Sequence, residues 1–96
     1  MAKGYWITVY QTISDPAALD EYAKLGGPAI ESGGGKFLVR GAPAKAYEAG
    51  VKERVVVIEF ESVAKAIATY ESARYQAAAK LLANAGERDV RIVEGS

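Results

Sequence analysis

The chain has 96 residues, half of them hydrophobic, and its twelve basic and twelve acidic side chains leave no net charge. Such a length suits one domain, and the apolar content excludes a disordered chain. There is no cysteine and no histidine, which excludes disulfides, thiol nucleophiles, zinc knuckles, histidine-based triads and histidine-ligated haem, and the balanced charge argues against nucleic acid as a partner.

Gly4–Tyr10 (GYWITVY) is aromatic and β-branched, as a strand requires. Alternation puts Tyr5, Ile7 and Val9 on one face and Trp6, Thr8 and Tyr10 on the other, so neither face is suited to free solvation. Ser14-Asp15-Pro16 then starts a helix, with a capping side chain followed by proline at the first helical position. Leu19, Tyr22 and Ala23 continue it at helical spacing towards Gly26. Gly26-Gly27-Pro28 is expected to interrupt it, with one further turn to Ser32 before Gly33–Gly35. Lys36–Gly41 reads as a second strand, extended irregularly to Val51 with a turn near Gly50. Arg54–Phe60 (RVVVIEF) is the strongest strand, with four consecutive β-branched residues, a pattern that asks for cover on both faces. Ser62 caps a helix in which Val63, Ala66, Ile67 and Tyr70 repeat at helical spacing. Ser72 caps another that carries Tyr75, Ala78 and Leu82 inward and closes at Asn84-Ala85-Gly86. Asp89–Val93 is the last strand. The order β-α-β-β-α-β over residues 1–96 is that of a ferredoxin-like α+β domain with a four-stranded antiparallel sheet.

The glycine-rich ESGGGK at residues 31–36 invites a phosphate-loop reading and fails it. Phe37 follows Gly35-Lys36 where a phosphate loop needs Ser or Thr, and Leu38 stands where a dinucleotide fingerprint needs its third glycine. The segment also leaves a helix and enters a strand, the reverse of both motifs, so the glycines serve as conformational punctuation. Arg40, at the end of its strand, is a candidate anion-binding guanidinium. Glu59 shares a face with Val55 and Val57; it is a candidate general base with a raised pKa, or else the ion-pair partner of Arg40 on the adjacent strand. Tyr22, Tyr70 and Tyr75 read as core tyrosines whose hydroxyls need partners. Ser72 reads as a cap first and a ligand-binding hydroxyl second. The carboxylates show no metal-binding spacing, so neither a metal nor a cofactor is expected. No apolar stretch reaches the roughly 20 residues of a membrane span, and no signal-peptide core opens the chain, which together indicate a cytoplasmic protein.

An ordered series of short motifs carries a resemblance. Tyr5-Trp6, Gly34-Gly35, Arg40-Gly41, the run Val55–Phe60 ending in Glu-Phe, and Tyr70-Glu71-Ser72 with Tyr75-Gln76 together resemble the domain-of-unknown-function 1330 (DUF1330) family over Gly4–Gly95. The chain departs from that family's pattern at Glu61, where a proline is usual, and at Ala73-Arg74, where Pro-Glu is frequent. The resemblance implies a dimeric α/β-barrel, in which two protomers pair their sheets face to face, and it implies no settled activity. The two apolar faces of the first and third strands call independently for such a homodimer, because helices can cover only one of them. Two functional readings stay open. In one, a small-molecule site, that of a binder or of a cofactor-free enzyme, takes an anionic or phenolic metabolite at Arg40, lined by Tyr22, Tyr70, Ser72 and Tyr75 with Glu59 as candidate base. In the other, the same residues satisfy one another in a non-catalytic accessory dimer. RNA binding would want a basic, aromatic motif on the third strand, which RVVVIEF does not supply.

Overall fold

Trp6 organises the molecule: it is 1% exposed, stacks on Phe60 at 6.2 Å between ring centroids and meets Tyr75 edge-on at 4.8 Å. Its position follows from strict alternation along β1 (Gly4–Ile13), in which Trp6, Thr8 and Tyr10 are buried and Tyr5, Ile7 and Val9 only partly so. The structure is a computed structural model and describes residues 2–96. β1 lies between β3 (Val55–Phe60) and β4 (Gly86–Glu94), and β2 (Lys36–Gly41) flanks β3, giving the order β2-β3-β1-β4 with every neighbour antiparallel. Helices α1 (Pro16–Ser32), α2 (Val63–Tyr70) and α3 (Ala73–Ala79), the last continued by a short 3-10 turn (Lys80–Leu82), complete the ferredoxin-like α+β fold.

The helices cover one face only. Val56, Ile58 and Phe60 of β3 join Trp6 beneath them, with Ile30 of α1, Ala66 of α2 and Tyr75 and Ala78 of α3. Full burial of Trp6, Tyr75, Phe60 and Ile58 contributes roughly 1.5–3 kcal/mol apiece. The opposite face carries Tyr5, Ile7, Val9, Val55 and Val57, all partly exposed, flanked by Val39 and Val93, which are 49% and 47% exposed. Cα extents of 36 × 31 × 15 Å describe a two-layer slab, one layer sheet and one layer helix.

Three elements differ from the sequence expectation. α1 is a single 17-residue helix that runs through Gly26, Gly27 and Pro28. Pro28 forgoes one helical hydrogen bond, but Gly26 before it and Ala29 and Ile30 after it are all buried, and tertiary packing outweighs weak local propensity. β1 runs three residues further than expected, and β4 begins three residues earlier and ends one later, pairing Thr12 with Glu87 and Ile13 with Gly86 beyond a bulge after Tyr10. Residues 42–54 form no strand; the chain turns at Tyr47–Gly50, where the Gly50 amide donates to the Tyr47 carbonyl at 2.9 Å. The triple glycine is structural: Gly34 has φ +94°, and a Cβ on Gly35 would stand 2.6 Å from Ile30 Cγ2 and 2.8 Å from Phe60 Cζ.

A bulge in β2 decides the site. Phe37 pairs with Ile58 and Val39 with Val57, so Leu38 is the extra residue. The slip turns Arg40 to the helix side, opposite Val56, where simple alternation from Phe37 would have put it on the other face.

Candidate functional site

Under α1, the helix-side face of the sheet opens into a cavity. Trp6, Thr8 and Tyr10 of β1 and Val56 and Ile58 of β3 form its floor, and Leu19, Tyr22, Ala23, Gly27 and Ile30 of α1 its roof. Phe37 and Arg40 come from β2, Arg54 from the residue before β3, and Arg88 from β4. The cavity has a volume of about 30 Å³ and is partly open to solvent, enough to admit a water molecule.

Three arginines line this space and no carboxylate does. Among the described residues, the ion pairs are those of Lys3, Lys24, Lys65 and Arg91, so Arg40, Arg54 and Arg88 have no acidic partner. The exposed Arg40 lies over the Phe37 ring at 4.2 Å. Arg54 is half-buried, and its backbone carbonyl accepts the Tyr10 amide at 2.9 Å. Arg88 sits opposite Tyr10 in the β1–β4 register. Its guanidinium donates to Tyr75 Oη at 2.8 Å and to Tyr22 Oη at 3.4 Å, and it stands 5.1 Å from the Tyr22 ring centroid.

The tyrosines complete the cluster. Tyr22 Oη and Tyr75 Oη are 2.7 Å apart. Burial pushes the Tyr75 phenol well above its ordinary pKa, and the neighbouring Tyr22 adds to this more than Arg88 takes away. Burial also raises the Tyr10 phenol against the opposing pull of Arg88 and Arg54. For Arg88, burial acts downward, but the oxygens of Tyr75 and Tyr22 more than offset it and hold the guanidinium above its ordinary value. Tyr75 and Tyr10 therefore stay protonated and Arg88 stays charged at neutral pH.

Of the residues singled out in the sequence, Arg40 and Tyr22 line the cavity, and Tyr75 stands behind it, 0% exposed, as the partner of Tyr22 and Arg88. Tyr70 packs edge-on to Trp6 at 5.3 Å and does not line the cavity. Ser72 is the cap of α3: its Oγ accepts the Tyr75 amide at 3.2 Å and donates to the Thr69 carbonyl at 2.7 Å. Glu59 does not line the cavity, and its pairing with Arg40 requires correction. It lies on the opposite face of the sheet, accepts from Tyr5 Oη at 3.0 Å and pairs with Lys3 at 3.8 Å, because the β2 bulge carries Arg40 to the helix side.

Arg54 and Arg88 are site residues that the sequence reading passed over. Alternation within RVVVIEF already puts Arg54 in phase with the inward Val56, Ile58 and Phe60. Alternation back from Ile92 and Val90 does the same for Arg88, once β4 is known to begin at Gly86. Among the described residues, no group of three or more His, Cys, Asp or Glu side chains could hold a metal ion, and no helix is long and apolar enough to cross a membrane.

The sequence pattern of DUF1330, described as a domain of unknown function, matches residues 3–96. No curated protein matches the chain. Among solved structures, the methylated RPA0582 protein of Rhodopseudomonas palustris superposes with a TM-score of 0.77 at 17% identity, over 99% of this chain and 82% of that one. A dimeric protein of unknown function and ferredoxin-like fold from Bacteroides fragilis gives 0.65 at 12% identity, over 96% and 95%. A protein from Nitrosomonas europaea, proposed to be an antibiotic biosynthesis monooxygenase, gives 0.62 at 12% identity, over 98% and 89%. At these identities the likeness is one of fold.

Proposed function

The chain belongs to the DUF1330 family, whose description assigns no activity, and we propose from its site that it is a homodimer binding a small anionic molecule in the arginine-lined cavity of each protomer. One observation carries the reading: Arg40, Arg54 and Arg88 converge on a cavity with an apolar floor and no carboxylate. Like charges brought together without counter-charge repel, and an anion between them relieves that repulsion. Arginine is also the side chain best shaped to grip a carboxylate. Two features support the dimer: the open apolar face of the sheet and the dimeric state of the ferredoxin-like relative from Bacteroides fragilis.

An enzymatic role would rest on Tyr10 and Tyr22, the phenols that line the cavity, since Glu59 faces away. The small volume, about 30 Å³, favours the rival reading, an accessory dimer without a ligand. A thermal-shift screen separates the two, using small carboxylates, phosphates and phenols with the Arg40→Ala variant in parallel. A ligand at 100 times its dissociation constant stabilises by about 2.7 kcal/mol. Ligand binding predicts a shift in the native protein that the variant loses. No shift in either protein would leave the accessory dimer as the better account.

A further inference from the structure

Resting on the proposed anion site, we infer that Tyr22 and Thr8 present hydrogen-bond donors to the cavity, so that the ligand is a small oxo acid: a carboxylate for the arginines, with a carbonyl oxygen on its apolar body. The direction of two hydrogen bonds carries this. Tyr75 Oη has two partners, the Arg88 guanidinium and Tyr22 Oη. A guanidinium only donates, so the Tyr75 proton has a single acceptor within reach, Tyr22 Oη. Tyr22 thus accepts from Tyr75 at 2.7 Å and from Arg88 at 3.4 Å. Its own proton is left over, on a side chain that is 8% exposed and lines the cavity.

Thr8 repeats the arrangement. Its Oγ1 accepts the Trp6 indole N–H at 2.8 Å, and among the described residues no acceptor receives its hydroxyl proton. Thr8 is 2% exposed and lines the same cavity. The arginines add further donors and no acceptor. Two spare donors on one cavity match an oxygen that accepts. The cavity, about 30 Å³ and partly open to solvent, has room for such an oxygen.

The test is a calorimetric titration with pentanoate, 2-oxopentanoate and 4-oxopentanoate, which share a chain length and a charge. At least one oxo acid should bind about tenfold or more tightly than pentanoate, the worth of one good neutral hydrogen bond or slightly more. In Tyr22→Phe the preference for the oxo acid over pentanoate should shrink; in Arg40→Ala all three affinities should fall together. If all three acids bind the native protein equally, this inference fails and the anion site stands. A preference that survives undiminished in Tyr22→Phe would also overturn the role given to Tyr22. If none of the three binds, the anion site itself fails. The native-protein comparison decides between these results even if Tyr22→Phe does not fold.

Discussion

At the scale of residues, the cluster of Arg88, Tyr75 and Tyr22 joins the stability of the core to the chemistry of the cavity. Tyr75 is 0% exposed, and its hydroxyl receives one arm of Arg88 at 2.8 Å. Tyr75→Phe keeps the ring packing and strands that arm, so it should cost roughly 1–3 kcal/mol, read from the urea midpoint at unchanged slope. The raised phenols set a pH limit. Above about pH 10 the unfolded chain releases tyrosine protons that Tyr75 and Tyr10 keep in the fold. The folded state then binds more protons than the unfolded one, so stability falls as pH rises further; at lower pH these groups contribute a constant amount. Tyr75→Phe should flatten the alkaline decline in melting temperature, and an unchanged decline would assign it to other groups.

At the scale of elements, α1 shows why local signals misled. Gly26-Gly27-Pro28 resembles a break, yet a Cβ at Gly26 would stand 2.9 Å from Tyr22 Cζ, so the glycine is there for the ring to lie against. At Gly27 nothing lies within 4 Å of an added Cβ. Gly27→Ala should therefore stabilise the protein by about 0.5–1 kcal/mol, whereas Gly26→Ala should destabilise it and disturb Tyr22; thermal melts of the pair check both signs. The strands were legible because period-two burial is written directly in GYWITVY and VVVIEF. Arg54 and Arg88 were equally legible from that period, given correct strand ends. Arg40 was not: a single extra residue at Leu38 turns it to the other face, and no residue type announces that bulge. Pairing Arg40 with Glu59 failed for the same reason, since two residues in phase by counting ended on opposite sides of the sheet.

At the scale of the molecule, the slab has one finished face and one unfinished face. Val57 sits on the unfinished one, opposite Ile7 on one neighbouring strand and Val39 on the other. Pairing two such faces would remove the exposed apolar surface and supplement the limited core of a chain this short. Light scattering should give twice the 10.2 kDa of one chain, and Val57→Asp should yield monomers; a native protein of single-chain mass would refute the dimer. The net charge of the chain is zero, yet three arginines without acidic partners gather at one cavity, and that local imbalance is the core of the functional account. It is tested most directly by calorimetric titration of a small carboxylate into the native protein and into Arg40→Ala, an exposed change that leaves the core intact. The account predicts one saturable site per chain, weakened about tenfold by losing one charge-assisted contact. Absence of binding to the native protein, or equal affinity in the two proteins, would contradict it.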